Sequence, residues 1–230
     1  MYKKYAFVLV VVSSLLGLLW GIGMVTKKKV TKKEPLHEYH TKRMFSKTPE
    51  PHGAVKKSGK ERLFVIQKHA ASHLHYDFRL EIDGVLVSWA IPKGPSTDPA
   101  EKRLAVMTED HPMDYAMFEG VIPEGNYGAG TVMVWDIGTY TNAKEQFGIS
   151  MEKALQEGKI EVELHGKKMK GSYALIRTHL NDEKRNWLFF KMKDDQKVPS
   201  IKNKEKSALS DRTMIQIAQE AIRETKYGKK

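Results

Sequence analysis

The apolar residues of this chain form one long run near the start and many short runs after it. Residues 5–25 contain no charged side chain, and lysines flank them on both sides. About 20 apolar residues rising about 1.5 Å each span a bilayer core of roughly 30 Å. The length of the run and the lysine cluster after it favour a membrane anchor over a cleaved signal peptide, the rival interpretation. We therefore predict a single-pass anchor over residues 1–26, with the remainder on the cytoplasmic side, because more lysines follow the run than precede it.

From Leu63 onward, short apolar runs are separated by Gly, Pro, Asp and Asn, which is typical of strands joined by turns. The pattern predicts strands over residues 63–67, 73–82, 85–91, 103–108, 131–136, 160–164, 171–177 and 187–191. Asp83-Gly84 lies between two of these runs and predicts a tight hairpin. Many short strands with turn residues indicate a mainly β fold, either a barrel or a sandwich.

Two helices are predicted beside these strands. One runs from Ser150, a candidate N-cap, to Gly158, a candidate stop, and the other from Ser210 to about Glu224 with apolar residues near helical spacing. Residues 27–60 show no sustained apolar period. The predicted division of the chain is an anchor (1–26), a basic linker and N-terminal arm (27–60), a β domain (61–195) and a basic tail with a helix (196–230).

The composition excludes several kinds of functional site. The chain has 230 residues, a net charge of +11 and no cysteine, which excludes disulfides, thiolate metal sites and a cysteine nucleophile. Basic residues are in excess in 27–60 and 191–230, whereas acidic residues outnumber them in 61–190. One interpretation is that the flanks attract a polyanion while the middle holds a cation. The other is that the lysines keep the protein soluble or lie against anionic lipid.

The strand that begins at Leu74 has a polar face made of functional side chains. Because successive side chains of a strand point to opposite faces, His75, Asp77 and Arg79 stand in a row. His75 and Asp77 are candidates to share one metal ion with His69 from the preceding segment, a set that suits Mn²⁺, Fe²⁺ or Zn²⁺. Arg79 is positioned to grip a phosphate with its bidentate fork. His73 is either a fourth ligand or a polar neighbour, and the rival interpretation is an amphipathic strand with a solvated face.

A second polar stretch, residues 109–130, follows the strand at 103–108. His111 stands at the strand end and Tyr115 one helical turn later, where His111 can donate a proton or a hydrogen bond to a phosphoryl oxygen. The glycines of this stretch do not form a phosphate-binding loop. Glu81-Ile82-Asp83-Gly84 is similar to the KxDG motif of nucleotidyltransferases, but Glu81 replaces the nucleophilic lysine, which excludes an adenylyl-enzyme intermediate.

Together the two stretches resemble the 3′-phosphoesterase domain of bacterial DNA ligase D, which also occurs as a free-standing protein. The matching sequences are FVIQKHAASHLHYDFRLEIDGVLVSWAIPKGPSTDPAEKRLAV and EDHPMDYAMFEGVIPEGNYGAGTVMVWDIGTY, with weaker matches in the arm and the last strands. The resemblance covers about residues 38–195. It implies a compact β-barrel with a few short flanking helices. It also implies removal of a 3′-terminal ribonucleoside and then of the 3′-phosphate, which leaves a 3′-hydroxyl for DNA repair.

The resemblance also implies roles for individual residues. His69, His75 and Asp77 would bind the metal, usually Mn²⁺ in this family, with Zn²⁺, Co²⁺ or Fe²⁺ as alternatives. The residues that would hold the scissile phosphate as the catalytic set are Arg79, His111 and Tyr115. The residues matched to further positions that support activity, through the substrate phosphate or the DNA, are Arg43, Glu50, Gln67, Lys93, Arg103 and Glu109. The implied partners are DNA or RNA–DNA primer–template 3′ ends, a Ku-type end-binding protein and a separate ATP-dependent DNA ligase.

The sequence departs from the family at two positions. Met44 stands where the family usually has an acidic residue that serves the ribonuclease step more than the phosphatase step, and His73 stands where it usually has arginine. The predicted function is therefore a metal-dependent 3′-phosphatase first and a 3′-ribonuclease second. The alternative is a catalytically weak protein that binds nucleic acid or tethers to the membrane and retains the barrel.

Overall fold

The computed structural model describes residues 34–59, 61–178, 185–193, 201 and 203–228. The predicted anchor over residues 1–26 lies outside the described residues. Within the described ranges, every helix is too short or too polar to cross a membrane.

The described residues contain ten strands and three α-helices. The strands are Arg62–Ala70 (β1), Leu74–Ile82 (β2), Val85–Ile91 (β3), Arg103–Met107 (β4), His111–Pro112 (β5), Gly120–Ile122 (β6), Gly130–Asn142 (β7), Lys159–Gly166 (β8), Lys170–Arg177 (β9) and Asn186–Lys191 (β10). The helices are His37–Thr41 (α1), Met151–Glu157 (α2) and Met214–Tyr227 (α3), with 3₁₀ turns at Met113–Met117 and Glu145–Phe147. Each predicted strand is present, whereas β5, β6 and α1 were not predicted.

Eight of the strands close into a barrel. The hydrogen-bonded order is β1, β2, β3, β4, β10, β9, β8, β7, and β7 then pairs with β1 to complete the circuit. All of these pairings are antiparallel, which suits a chain whose strands are joined mainly by short turns. β6 adds to β7, and β5 pairs with β3. The mainly β prediction is confirmed, and of the two architectures left open by the pattern, the structure has the barrel.

Apolar side chains lie on both faces of the first strands, where they form two separate clusters. Inward residues such as Phe64, Phe78 and Trp89 form the main core, and each large side chain buried in this way contributes roughly 1.5–3 kcal/mol. On the outer face, Val65 and Leu86 pack in a second cluster under the segments 34–56 and 113–122. The outer face of β1, β2 and β3 is therefore covered, and the polar side chains on it are shielded from solvent.

The hairpin between β2 and β3 has the predicted turn. Asp83 and Gly84 have φ of 52° and 79°, as both central residues of a type I′ turn require. Gly84 also accepts a hydrogen bond from the backbone N–H of Lys56, and a Cβ at Gly84 would overlap the Lys56 carbonyl oxygen. The arm thus contacts the turn directly, so residues 34–56 pack on the barrel.

Both predicted helices are present, one of them with a shifted start. Ser150 caps α2 by accepting from the backbone N–H of Lys153, and Gly158 ends it at φ 79°. α3 begins at Met214 rather than near Ser210, because Thr213 and Gln216 form a reciprocal capping box. The Ser210 hydroxyl instead donates to Glu119 Oε2 over 2.6 Å, outside the helix.

Candidate active site

The candidate metal ligands lie side by side because of the pairing between β1 and β2. In the antiparallel register His69 stands directly opposite His75, and their ring centroids are 4.8 Å apart. Asp77 follows on the same face of β2, and one donor atom from each of the three side chains lies within 4.8 Å of the others. Among the described residues, these three form the group that is close enough to share an ion. Within the described part of the chain, the contact of His73 with this group is made by its backbone carbonyl oxygen, which lies against His75 Nδ1.

Each of the two imidazoles is oriented by a backbone carbonyl. His69 Nε2 lies 3.0 Å from the carbonyl oxygen of Gly128, and His75 Nδ1 lies 2.9 Å from that of His73. Since a carbonyl only accepts, these nitrogens carry the protons, and the other nitrogen of each ring keeps its lone pair. Those nitrogens lie 3.7 and 3.8 Å from Asp77 Oδ2. Such outer partners commonly fix metal-binding histidines.

Asp77 is kept ionised by its neighbours. Burial alone would raise the pKa of its carboxyl group, but the net shift is downward, and the Arg79 guanidinium, 3.2 Å from Oδ2, is the largest influence that lowers that pKa. An ionised carboxylate beside two imidazole lone pairs is a donor set for Mn²⁺, Fe²⁺, Co²⁺ or Zn²⁺. The side chains present therefore fit a divalent metal ion, and their chemistry leaves its identity open.

Arg79 is buried next to this candidate metal site and is bonded on several sides. Its Nε donates to Gln67 Oε1 and its Nη1 to Ser88 Oγ, each over 2.8 Å, and Nη1 also lies 2.8 Å from His111 Nδ1. Its Nη2 donates to Asp77 Oδ2 over 3.2 Å. The fork predicted to grip a phosphate is thus mostly occupied by protein groups. Among the contacts of the described residues, one N–H on Nη2 has no acceptor.

The arm brings a second guanidinium to the site. Arg43 donates through Nε to Glu50 Oε1 over 2.9 Å and through Nη1 to Glu109 Oε1 over 3.1 Å. Its Nη2 lies 3.3 Å from His111 Nε2. Glu50 Oε1 also accepts from the Tyr115 hydroxyl over 3.0 Å. Glu50 therefore holds Arg43 and Tyr115 together from behind, while Arg43 faces His111.

His111 lies between the two guanidinium groups. Burial lowers the pKa of its imidazole well below the ordinary value, and the positive charges of Arg79 and Arg43 lower it further. The ring is therefore neutral near neutral pH and acts through hydrogen bonds. Its neighbour Tyr115 has a ring centroid 4.7 Å away, and burial raises the pKa of that phenol well above its ordinary value, so the hydroxyl stays protonated.

These side chains line one cavity of about 270 Å³. The predicted residues on its wall are Arg43, His69, His75, Asp77, Arg79, Glu109, His111 and Tyr115. Gln67 and Glu50 lie behind the wall, where Gln67 joins Arg79 to the 3₁₀ turn by donating to the carbonyl oxygens of Tyr115 and Phe118. The cavity thus collects the candidate metal ligands and both guanidinium groups in one place.

Two predicted substrate contacts lie outside the cavity wall. Lys93 is exposed just beyond β3, and Arg103 begins β4 with its guanidinium paired to Glu101. Ile91 pairs with Tyr76, so Lys93 stands at the end of the barrel that carries His75. Their proposed roles in binding substrate stay predictions.

Three polar residues at or directly behind the cavity wall were not predicted from the sequence. Ser88 contacts Arg79, Tyr127 stands at the rim, and Thr108 lines the wall with a buried Oγ1 that has no hydrogen-bond partner among the described residues. A polar residue inside the apolar run VLVSWAI and an aromatic residue inside GNYGAG were available signals for Ser88 and Tyr127. The sequence around Thr108 contains no comparable signal.

A family model and several known proteins match this chain, and all of them concern DNA ligase D. Residues 67–177 match the family model described as the DNA Ligase D 3′-phosphoesterase domain. The chain is 45% identical, over an alignment of 207 residues that covers 85% of the chain, to the multifunctional non-homologous end joining protein LigD of Pseudomonas aeruginosa. It is 47% identical over 165 residues to the Mycolicibacterium smegmatis protein of that name, and 47% over 171 residues to the LigD DNA repair protein of Mycobacterium tuberculosis, covering 71% and 73% of the chain. The matches span only 24%, 21% and 21% of these relatives.

Proposed function

Because residues 67–177 make this chain a member of the DNA ligase D 3′-phosphoesterase domain family, we propose that it is a metal-dependent phosphoesterase that trims 3′ ends and leaves 3′-hydroxyls for non-homologous end joining. One observation carries the proposal. The His69–His75–Asp77 group and the Arg79–His111–Arg43 group line the same cavity, so a metal site and a phosphate site adjoin each other.

A divalent metal is the cofactor in this proposal, with Mn²⁺ the first choice. His69, His75 and Asp77 would hold it, and when bound it supplies Lewis acidity toward a phosphoryl oxygen and an activated water. The orientation of both imidazoles by backbone carbonyls supports this role, because it leaves one lone pair on each ring for a ligand bond.

The protein's own contribution is charge neutralisation. Arg79 and Arg43 each have one Nη2 N–H without an acceptor among the described residues, and His111 lies between these two groups. A phosphate placed there would meet positive charge from two sides in a buried setting, where such groups are worth most. Each is expected to contribute roughly 10²–10³-fold to turnover.

His111 acts as a hydrogen-bonding group in this proposal. Its neutral state supports donation of one hydrogen bond to a phosphoryl oxygen, while transfer of a proton from an imidazolium is disfavoured by the two adjacent guanidinium groups. Tyr115, whose hydroxyl is held by Glu50, sets the position of the His111 ring by edge contact.

The proposed substrates are DNA or RNA–DNA primer–template 3′ ends, with phosphate removal as the principal step. Removal of a terminal ribonucleoside is proposed to be the weaker of the two activities, since Met44 replaces an acidic group next to Arg43. A Ku-type end-binding protein and a separate ATP-dependent ligase are the proposed partners, as the relatives are named for non-homologous end joining.

The test compares the full chain with Asp77→Asn on labelled primer–templates that end in a 3′-phosphate or in one 3′-ribonucleotide, with Mn²⁺ present. Wild type is expected to give 3′-hydroxyl ends, and Asp77→Asn to lose turnover at least about 10³-fold together with Mn²⁺ affinity, because a carboxamide does not supply the anionic ligand. Asp98→Asn, in a turn outside the cavity, is the matched control and should behave as wild type. Full turnover by Asp77→Asn would refute the assignment of the site.

A further inference from the structure

One aromatic ring at the rim of the active-site cavity is exposed. Tyr127 lines the cavity wall with 48% of its surface open to solvent, whereas Tyr115 on the same wall is 2% exposed. An aromatic ring contributes a large apolar area when it is buried, so an open ring beside a phosphate site is available to a ligand.

The exposed ring is nevertheless held in place. Lys42 Nζ donates to the Tyr127 hydroxyl over 3.2 Å and lies 4.6 Å from the ring centroid, and the hydroxyl lies 3.5 Å from Glu109 Oε2. The next residue, Gly128, holds His69 through its carbonyl oxygen. The loop that presents the ring is therefore tied to the metal-site side chain on one side and to the arm on the other.

A fixed, open aromatic ring among cations is the usual way in which proteins bind single nucleotides of a strand. Every nucleobase has a π face, and an aromatic side chain stacks on it without reading its identity, while nearby lysine and arginine meet the backbone. Lys42 Nζ and Arg43 Cζ lie over the Tyr127 ring, 4.6 and 5.6 Å from its centroid, so cations adjoin the ring, and the exposed 48% of the residue is the surface that remains for a base.

We propose that Tyr127 is a stacking platform for the base of the 3′-terminal nucleotide whose phosphate occupies the cavity. This inference rests on the proposed function and deepens it. A 3′-phosphate and the base of the same nucleotide are joined by one sugar, so the first enters the cavity while the second reaches its rim. The enzyme then prefers nucleic-acid ends over simple phosphate esters and does not discriminate among the four bases.

The competing interpretation is that Tyr127 matters only through its hydroxyl, which braces Lys42 and Glu109. Two substitutions separate the interpretations, since Tyr127→Phe keeps the ring and loses the hydroxyl, whereas Tyr127→Leu loses both. If the ring stacks on a base, Tyr127→Phe should bind the 3′ end as wild type does and Tyr127→Leu should bind it more weakly. If only the hydroxyl matters, the two variants should bind the 3′ end equally weakly.

The kinetic test uses the full chain with Mn²⁺ and two primer–templates that end in a 3′-phosphate, one with a normal terminal nucleotide and one abasic at that position. Tyr127→Leu should raise KM for the normal end about tenfold, within the range that loss of one base–aromatic stack gives. It should leave kcat within about twofold and leave KM for the abasic end unchanged, while Tyr127→Phe stays near wild type. An equal rise in KM on both ends would overturn the proposal.

A binding test gives a readout that does not need turnover. A primer–template with 2-aminopurine as its 3′-phosphorylated terminal base is added to the chain in EDTA, and stacking on Tyr127 should quench its fluorescence. Wild type and Tyr127→Phe should quench, and Tyr127→Leu should not. Quenching without hydrolysis when Mn²⁺ is restored would leave the stacking site standing and remove the proposed function. Hydrolysis without Tyr127-dependent quenching, or no quenching at all, would remove the stacking site.

Discussion

Glu50 is a buried carboxylate that supports two functional side chains at once. It accepts from Arg43 Nε and from the Tyr115 hydroxyl through the same oxygen, and from Thr48 through the other. Glu50→Ala should lower the free energy of unfolding by about 3 kcal/mol, because it leaves a buried guanidinium with one partner fewer. Turnover should fall about tenfold as Arg43 and Tyr115 lose their orientation. Urea denaturation and initial rates measure the two effects.

The matched control for this prediction is Glu124→Ala, an exposed glutamate in the loop before Tyr127. Its free energy of unfolding should stay within about 0.5 kcal/mol of wild type. If Glu50→Ala lost turnover and kept full stability, Glu50 would be a substrate contact, as the family resemblance suggests, and its supporting role would be wrong.

The free energy of unfolding should depend on pH through one side chain, Asp110. Burial, together with Glu38 and Glu109, raises the pKa of its carboxyl group to about 6. In the unfolded chain an aspartate titrates near 3.9. The folded state therefore binds the proton more tightly, so this contribution to stability is complete below about pH 4 and is lost as the pH rises through about 6.

Asp110→Asn should remove the decrease in stability that wild type shows as the pH rises through about 6. At pH 7 the variant's free energy of unfolding should exceed that of wild type by up to about 3 kcal/mol, and the difference should vanish near pH 4. Urea denaturation of both proteins across this range provides the measurement. Parallel profiles would show that Asp110 has an ordinary pKa in the folded chain.

At the level of residues, the sequence was informative where the function depends on one strand. The alternation of β2 placed His75, Asp77 and Arg79 on one face, because a period of two is fixed by backbone geometry. The partners of Arg79 were not predictable, since Gln67, Ser88 and His111 reach it from other elements. For the same reason, the sequence suggested a free guanidinium fork that the structure shows to be mostly occupied.

The turn between β2 and β3 links a structural element to the site, because the arm rests on it. Gly84→Ala should cost about 1 kcal/mol for the positive φ and a further amount because the new Cβ displaces the Lys56 carbonyl. Loosening of the arm should then lower turnover, since the arm carries Arg43. Thermal unfolding and initial rates at saturating substrate measure both effects.

Gly148→Ala is the control for this element. Gly148 has a similar φ of 69°, and a Cβ there would meet nothing within 4 Å. It should show the backbone cost alone, with unchanged turnover. Equal stability and equal turnover for the two variants would mean that the contact between Gly84 and Lys56 does not hold the arm.

Elements with strong local signals were predictable, and those that depend on tertiary contacts were not. β3 has the predicted bounds, and α2 has the predicted cap and stop, since alternation, Ser150 and Gly158 act locally. β5 and β6 are too short to show a period and exist because β3 and β7 offer them hydrogen bonds. α1 belongs to the same group, as the buried Tyr39 packs against His111 and Tyr115, which lie more than 70 positions further along the chain.

At the scale of the whole molecule, the net charge of +11 should govern affinity for nucleic acid. Binding of the full chain to a DNA 3′ end should weaken at least tenfold between about 50 and 200 mM salt, because each phosphate neutralised by lysine or arginine releases counterions. Fluorescence anisotropy of a labelled primer–template measures the slope. An affinity that does not change with salt concentration would show that the basic flanks do not contribute to DNA binding.

The contribution of the arm to this slope can be isolated. Lys47 and Lys57 are exposed lysines of the arm, and alanine at both should make the logarithmic slope shallower by up to about 2. Lys153→Ala, an exposed lysine of α2 outside the active-site cavity, should leave the slope unchanged. Identical slopes for the arm variant and this control would contradict a path of DNA along the arm.

The largest gap in sequence prediction also appears at this scale. Residues 27–60 gave no apolar period, yet the arm from residue 34 onward covers the outer face of the barrel and contributes Arg43 and Glu50 to the site. Those two side chains meet Glu109, His111 and Tyr115 across 65 to 68 positions of chain. Contacts over such separations are set by how the barrel closes, which no local pattern encodes.

The placement of the metal ligands has a consequence for the order in which a ribosome completes the site. His69, His75 and Asp77 all belong to the β1–β2 hairpin, so they meet once residue 82 has been made. The arm is synthesised before them but finds its partners only after residues 109–115, and β1 gains its second neighbour only with β7. The three candidate metal ligands can thus come together early in synthesis, while the arginine-lined side of the site forms only when the barrel closes.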